Sequence, residues 1–167
     1  MSEEQAMQWI GVVDTMFARI DMGGIVMETL AGKPDRGRAF DLVRRTVPGF
    51  KNLAVEAQRL IQSHGCGIVI ALGMPGPEPI DQLCAHEACL GIMAAQLATS
   101  THILDVFVHA TEAIGDDQRL AAICRDRCEK HALNAYDMLF APQTLIARAG
   151  QGVRQGGVDA GAILEHV

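Results

Sequence analysis

GCGIVIALGMPGPEPIDQLCAHEACL, residues 65–90, is the stretch on which the reading of this chain turns. The run at 68–72 is apolar, rich in β-branched residues and bounded by glycines, which suits a strand buried on both faces of a parallel sheet. It breaks into Gly73-Met74-Pro75-Gly76-Pro77, where glycines permit close backbone approach and prolines stiffen the turn. Pro79 fits a first helical turn, where its missing N–H costs nothing. The helix it opens first carries Asp81, Gln82, His86 and Glu87, then turns small and apolar through Ala88, Leu90, Ile92, Met93, Ala94, Ala95 and Leu97. Its polar half therefore lies beside the loop. In open α/β sheets ligands bind at the carboxyl ends of the strands, so four polar side chains beside a glycine and proline loop mark a candidate site. Acidic residues also favour helix N-termini for dipole reasons alone, and for any one of the four that account serves equally well.

Working outward, residues 9–14 (WIGVVD) form a first strand by apolar density, with Thr15-Met16-Phe17-Ala18-Arg19 at its carboxyl end on the same rim. Phe17 there is either a stacking platform for a flat ligand or a plug over the core. Asp21 is placed to cap a helix over 22–30, which Gly23-Gly24 weakens unless another backbone approaches closely. A polar turn at 32–37 leads to a second strand at 39–47, whose alternation from Leu42 onward predicts an edge position. Pro48-Gly49-Phe50-Lys51-Asn52 follows at the rim, with Asn52 as an N-cap and Leu53, Ala57, Leu60 and Ile61 as the apolar stripe of a helix that Gly65 ends. Lys51 suits solvent and a ligand equally. A fourth strand at 102–108 runs into His109, Thr111 and Glu112, and His109 has the pKa class for proton transfer near neutrality, although a lone strand-end histidine is usually a surface residue. A long amphipathic helix at 119–140 and a shorter one at 142–149 complete the pattern. The tail from residue 150 is glycine-rich without a preceding strand, so it carries no dinucleotide signal.

Strand and helix thus alternate along the chain with short connections. The expected fold is α/β, a three-layer sandwich on a four-stranded parallel sheet, flavodoxin-like in kind, as a single domain over residues 1–167. About half the 167 residues are apolar and a fifth are charged, enough for one real core. A net charge of −6 with dispersed arginines offers no stripe for phosphate backbones, so nucleic acid is not an expected partner. Residues 1–7 lack the positive and apolar regions of a secretory signal, and the longest apolar stretch, 90–98, is too short for a bilayer; a cytoplasmic protein without membrane contact is expected. The five cysteines read as free thiols. Cys124, Cys128 and His131 share one helical face, but Leu120, Ala135 and Met138 continue it, which favours a core stripe over a metal site. No metal is expected. The sheet edges and alanine-rich helices predict assembly.

Several rim segments resemble the archaeal-type riboflavin synthases: VPGFKNL at 47–53, ALGMPG at 71–76, CAHEACLG at 84–91, VFVH at 106–109, VVDTMFARIDM at 12–22 and GQGVRQGGVDAG at 150–161. Together they span nearly the whole chain in the expected order. That family is similar to the lumazine synthases, and the resemblance implies a lumazine synthase-like sheet. It implies a dismutation in which two molecules of 6,7-dimethyl-8-ribityllumazine yield riboflavin and 5-amino-6-ribitylaminouracil. No cofactor is implied, and dependence on a divalent cation is left open. A homopentamer with sites between adjacent subunits is implied. Phe17, beside Ala18, would stack on a ring; backbone amides around Pro48, Gly49 and Phe50, and around Gly73, Met74, Pro75 and Gly76, would bind uracil edges. Lys51 and Asn52 would reach ribityl hydroxyls or ring oxygens. His86 and His109 are the proton-transfer candidates, with Glu87 or Asp81 orienting them.

The chain departs from the pattern at Ala54, where the family usually has proline, a change expected to loosen the helix start. The lumazine synthase catalytic histidine is also missing, since 76–82 reads GPEPIDQ. The nearest rival, 6,7-dimethyl-8-ribityllumazine synthase activity, must hold a sugar phosphate and wants a hydroxyl in the turn, which Met74-Pro75-Gly76-Pro77 lacks. A flavodoxin-like module binding a flavin or nucleotide wants Ser and Thr directly after the first strand, where Thr15 stands alone. A scaffold with an empty crevice leaves the polar rim without a purpose.

Overall fold

The computed structural model describes residues 7–163. In chain order it contains β1 (Gln8–Thr15), α1 (Met22–Ala31), β2 (Phe40–Val47), α2 (Phe50–His64), β3 (Cys66–Gly73), α3 (Pro79–Thr99), β4 (Ile103–Phe107), a 3-10 turn (Ala110–Ala113), α4 (Asp117–Phe140) and α5 (Pro142–Arg148). The four strands pair in parallel in the order β2-β1-β3-β4. This is the expected α/β sandwich: the glycine-bounded run forms a central strand, and the alternating one forms an edge. Asp105 and His102 on β4 and its approach, and Arg45 and Thr46 on β2, are exposed, as edge strands require.

Successive side chains on a strand point to opposite faces, so the sheet carries two cores. Val12, Ile68, Ile70, Leu72 and Val106 pack with Ile25, Val26 and Leu30 of α1 and Leu120, Cys124 and Cys128 of α4. Val13, Val69, Ala71 and Ile103 pack with Leu53, Ala57 and Leu60 of α2 and Ala88, Ile92 and Ala95 of α3 on the other face. Cys124 and Cys128 are fully buried between Leu120 and Ala135, which makes their stripe a core face. No helix among the described residues is long and apolar enough to cross a membrane.

Local chemistry explains the boundaries, and in three places it corrects the expectation. Asp21 does cap α1, accepting a hydrogen bond from the Gly24 amide at 3.0 Å. Gly23, however, admits side chains rather than a backbone: an added Cβ would lie 2.5 Å from both Arg44 Nε and Asp14 Oδ2. Asn52 is not the N-cap of α2. Gly49 takes that position in extended conformation and accepts the Asn52 amide at 3.1 Å, because the turn closes directly behind Pro48. Ala54 is consequently the fifth residue of α2, a position where proline would remove a backbone donor, so alanine firms the helix rather than loosening it. Gly65 ends α2 at φ 69°, a conformation that glycine adopts without strain, and its amide reaches the carbonyls of Leu60 and Ile61.

Candidate active site

Register makes the rim. Thr15 lies opposite Val47, and Gly73 opposite Phe107, while Asp14 sits between Thr46 and Leu72. The four strands therefore end level, and the loops that leave them start from one line.

An aromatic run crosses that line. Phe17 meets Phe50 edge-on with ring centroids 5.3 Å apart, and Phe50 meets Phe107 edge-on at 4.9 Å. Phe50 occupies the place that a side chain at residue 73 would claim: a Cβ on Gly73 would lie 2.2 Å from Phe50 Cε1. Phe50 is buried and Phe107 half-buried, whereas Phe17 is 46% exposed and turns a free ring surface to solvent. A cavity of about 380 Å³ opens beside it, walled by Phe17, Met74, Pro75, Gly76, Pro77 and Ile114. Its polar lining comes from Arg19, Asp81 and Asp117. Arg19 and Asp117 bridge the loop after β1 to the start of α4 at 2.6 Å, each well exposed.

The glycine and proline loop is braced through its carbonyls. Gly73 O accepts the Val108 amide at 3.0 Å, Pro75 O the Ala110 amide at 2.9 Å, and Gly76 O the Gln82 side-chain amide at 2.6 Å. The other end of the Gln82 amide, Oε1, lies 2.5 Å from His109 Nδ1. His109 is held from behind as well: its backbone N–H donates to Glu112 Oε1 at 2.9 Å. Arg127 grips Glu112 with two contacts of 2.7 Å and donates to Phe107 O at 2.8 Å. That guanidinium holds the Glu112 carboxyl below the usual carboxylate range, against a smaller upward pull from burial. His109 thus stands between the glycine and proline loop and an anchored ion pair.

The remaining predicted residues divide. Asp81 lines the cavity and accepts the Glu78 amide at 3.3 Å, which fixes the start of α3 behind Pro79. Lys51 and Glu87 pair at 2.6 Å between α2 and α3, both exposed, and Cys84 contributes to the field on Lys51. Ala18 is half-buried against the α1 and α4 core. Pro48 and Asn52 are exposed at the α2 entrance. His86 does not join the cavity. It lies exposed on α3 among Leu83, Leu90, Met93 and Leu97, spaced three and four residues apart along one outward strip. Sequence reading did not single out Phe107, which reads only as strand, or the Gln82, Asp117 and Arg127 contacts, which join residues 27, 98 and 15 positions apart.

Behind the rim, Asp14 is buried and bound by Arg44 Nη2 at 2.5 Å and Thr46 Oγ1 at 2.7 Å; Arg44 also reaches Asp21 at 2.5 Å. This fixes the loop between β1 and α1. On the far side of α3, Cys89 donates to Asp105 at 3.3 Å, and burial followed by that carboxylate pushes the thiol up to about 11, so it is protonated at neutral pH.

Comparison with known proteins places this geometry. The profile of the 6,7-dimethyl-8-ribityllumazine synthase family matches residues 8–143. A riboflavin synthase of Methanothermobacter thermautotrophicus is 48% identical over 154 residues, covering 92% of this chain and 98% of that one. This chain belongs to the riboflavin synthases of the lumazine synthase family. Riboflavin synthases of Aeropyrum pernix, 41% identical, and Archaeoglobus fulgidus, 38% identical, align over 92% and 93% of this chain and over 97% and 99% of their own lengths. The span that the family profile matches includes every rim element described above, from β1 through the start of α5.

Proposed function

We propose that this chain converts two molecules of 6,7-dimethyl-8-ribityllumazine into riboflavin and 5-amino-6-ribitylaminouracil by moving a four-carbon unit from one to the other. The observation that carries the reading is a solvent-facing Phe17 ring at a cavity that the braced loop from Met74 to Pro77 also lines. A flat heterocycle fits such a wall. The 7-methyl protons are acidic because the ring system takes up the electron pair left when the C–H bond breaks. Catalysis then needs two rings held together and a proton carried away and returned, with no external oxidant.

Phe17 faces a ring, and backbone amides around Gly49 and Phe50 and around Gly73 to Gly76 take the uracil edges. Neither histidine lines the cavity, but His109 is tied through Gln82 to Gly76 in its wall, whereas His86 stands on an outward strip, so His109 is the better-supported proton carrier. Asp81 and Arg19 supply polar contacts inside the cavity, and the Lys51–Glu87 pair joins α2 to α3 outside its lining. The assembly is a homopentamer with sites between neighbouring subunits. The apolar strip on α3, the open edge of β4 and the exposed Ile114 at the cavity mouth support a second copy covering this side. The compartment is the cytoplasm.

Purified protein given 6,7-dimethyl-8-ribityllumazine alone forms riboflavin, followed by absorbance and fluorescence. Phe17→Ala lowers kcat/KM by about tenfold, the upper worth of one ring contact. Lumazine left unconverted, while 5-amino-6-ribitylaminouracil and a four-carbon sugar phosphate condense, would transfer the assignment to the lumazine synthase reaction.

A further inference from the structure

The glycine-rich segment 150–161 forms neither helix nor strand, yet it is folded against α4. It first closes on itself: the Arg154 amide donates to Asp159 Oδ1 at 2.9 Å, and the Ala160 amide to Gly152 O at 2.9 Å. Two side chains one turn apart on α4 then hold it. Asp126 Oδ2 accepts the Gly156 amide at 2.7 Å, Lys130 Nζ donates to Arg154 O at 3.0 Å, and Asp126 and Lys130 pair with each other at 3.0 Å.

Beside those anchors, Gly156 lies on the guanidinium of Arg127. A Cβ added at residue 156 would stand 2.7 Å from Arg127 Nη2 and 2.9 Å from Cζ, and φ at Gly156 is +79°, a value that side chains rarely allow. Glycine supplies both the turn and the close approach. The Arg127 side chain is 17% exposed and turns its remaining N–H groups inward. Nη1 donates to Phe107 O at 2.8 Å and to Glu112 Oε1 at 2.7 Å, and Nη2 donates to Glu112 Oε2 at 2.7 Å. Glu112 belongs to the 3-10 turn and ties it at both ends: its carboxylate accepts the His109 amide, and its own amide donates to the His109 side chain. Ala110, Ala113 and Ile114 of this stretch line the cavity. One arginine therefore connects the tail to the cavity wall.

We propose that Gly156, anchored by Asp126 and Lys130, is a positioning residue: the tail covers the Arg127 guanidinium, keeps it on Glu112 and Phe107 O, and so fixes the part of the cavity wall that follows β4. The inference rests on the reading that this cavity holds the lumazine. An uncovered guanidinium trades its bonds for water, and its long side chain regains other rotamers. The Gly156 backbone closes both routes. Arg127 can yield to a side chain at 156 only by leaving its carboxylate, so a disturbed tail is felt at the wall.

The test joins hydrogen exchange and kinetics on the full-length, assembled protein. Gly156→Ala sets a methyl against the guanidinium, and Asp126→Ala removes the tail's anchor while leaving Glu112 and Phe107 in place. In both variants the amides of residues 108–112 exchange about threefold to tenfold faster, read by mass spectrometry of peptides across the turn, while those of β2 keep their rate. KM for 6,7-dimethyl-8-ribityllumazine rises about threefold to tenfold and kcat stays within about twofold, as for a lost contribution to binding. Arg127→Met raises KM as well, and adding Gly156→Ala to it changes KM by less than about 1.5-fold, because the methyl then meets no guanidinium. Where Gly156→Ala does not fold, Asp126→Ala takes its place in that pair.

Exchange at residues 108–112 left at the wild-type rate in Asp126→Ala overturns the proposal, as do additive changes of KM in the pair. Wild-type protein that leaves the lumazine unconverted removes instead the reading on which the proposal rests, and the exchange rates, which need no substrate, still report whether the tail holds the turn.

Discussion

Gly73→Ala tests the aromatic run by adding a single methyl group. The new Cβ would lie 2.2 Å from Phe50 Cε1, 2.9 Å from Cζ and 3.1 Å from Cδ1, all in one ring. Residue 73 is not among the glycines with positive φ, so the penalty is one of space and not of backbone conformation. The ring has little room to yield. It is the first residue of α2, it is buried, and it touches Phe107 on one side and Phe17 on the other. Overpacking of this kind costs about 1–3 kcal/mol, and loosening two edge-on ring pairs adds about 0.5–1.5 kcal/mol each. A total near 3 kcal/mol corresponds to a fall in Tm of roughly 10 °C for a chain of this size. The measurement is thermal unfolding at one fixed protein concentration, since an assembly's Tm depends on it. Turnover of 6,7-dimethyl-8-ribityllumazine is followed in parallel and falls with it, because Phe17 loses its support. Combining Gly73→Ala with Phe50→Leu frees the contested space, and the pair is less destabilised than the two single changes summed. A Tm unchanged by Gly73→Ala, or strict additivity in the pair, would refute the reasoning.

Two further expectations concern groups behind the rim. Burial holds the His131 imidazolium disfavoured, so its pKa lies below the ordinary histidine value. The unfolded chain then binds a proton near pH 6.5 that the folded chain refuses, and the stability present above that pH drains away as pH falls below it. His131→Gln flattens this acid limb of a Tm-against-pH series between about pH 7.5 and 5.5, and an unchanged slope would exclude His131 as its source. Arg44→Met leaves the buried Asp14 carboxylate to the Thr46 hydroxyl and costs about 2–3 kcal/mol, seen as a lower urea midpoint with unchanged m; adding Asp14→Asn recovers part of it.

Much of the scaffold could be read from residue order because its signals are local. The run at 68–72 announces a buried strand by composition, Asp21 announces a helix start by its short acceptor, and Gly65 a helix stop by its missing Cβ. Asn52 misled because N-cap preference is a property of the residue, whereas the place of the cap was decided by the turn behind Pro48 and Gly49. The rim that carries the candidate site was legible by segment; its side-chain contacts were not. Phe17, Asp81 and the loop from Gly73 to Gly76 fell at the rim as expected, because strand ends define it. His86 and His109 were equivalent candidates in sequence; helical phase sends the first outward, and the Gln82 contact draws the second toward the loop. Such pairings depend on how α3 lies across the sheet, and no spacing rule within the chain encodes that.

The level strand ends separate two kinds of evolutionary freedom. Most residues of the two apolar layers lie below the line, while the candidate ligand-facing groups lie above it on short connections braced through backbone carbonyls. Rewriting the exposed parts of those connections leaves most of both cores intact, while Met74, Val108 and Ala113 reach from them into one core. A single ancestral sheet could therefore move from building a heterocycle to exchanging carbon between two finished ones by altering a few exposed turns, with its folding machinery undisturbed.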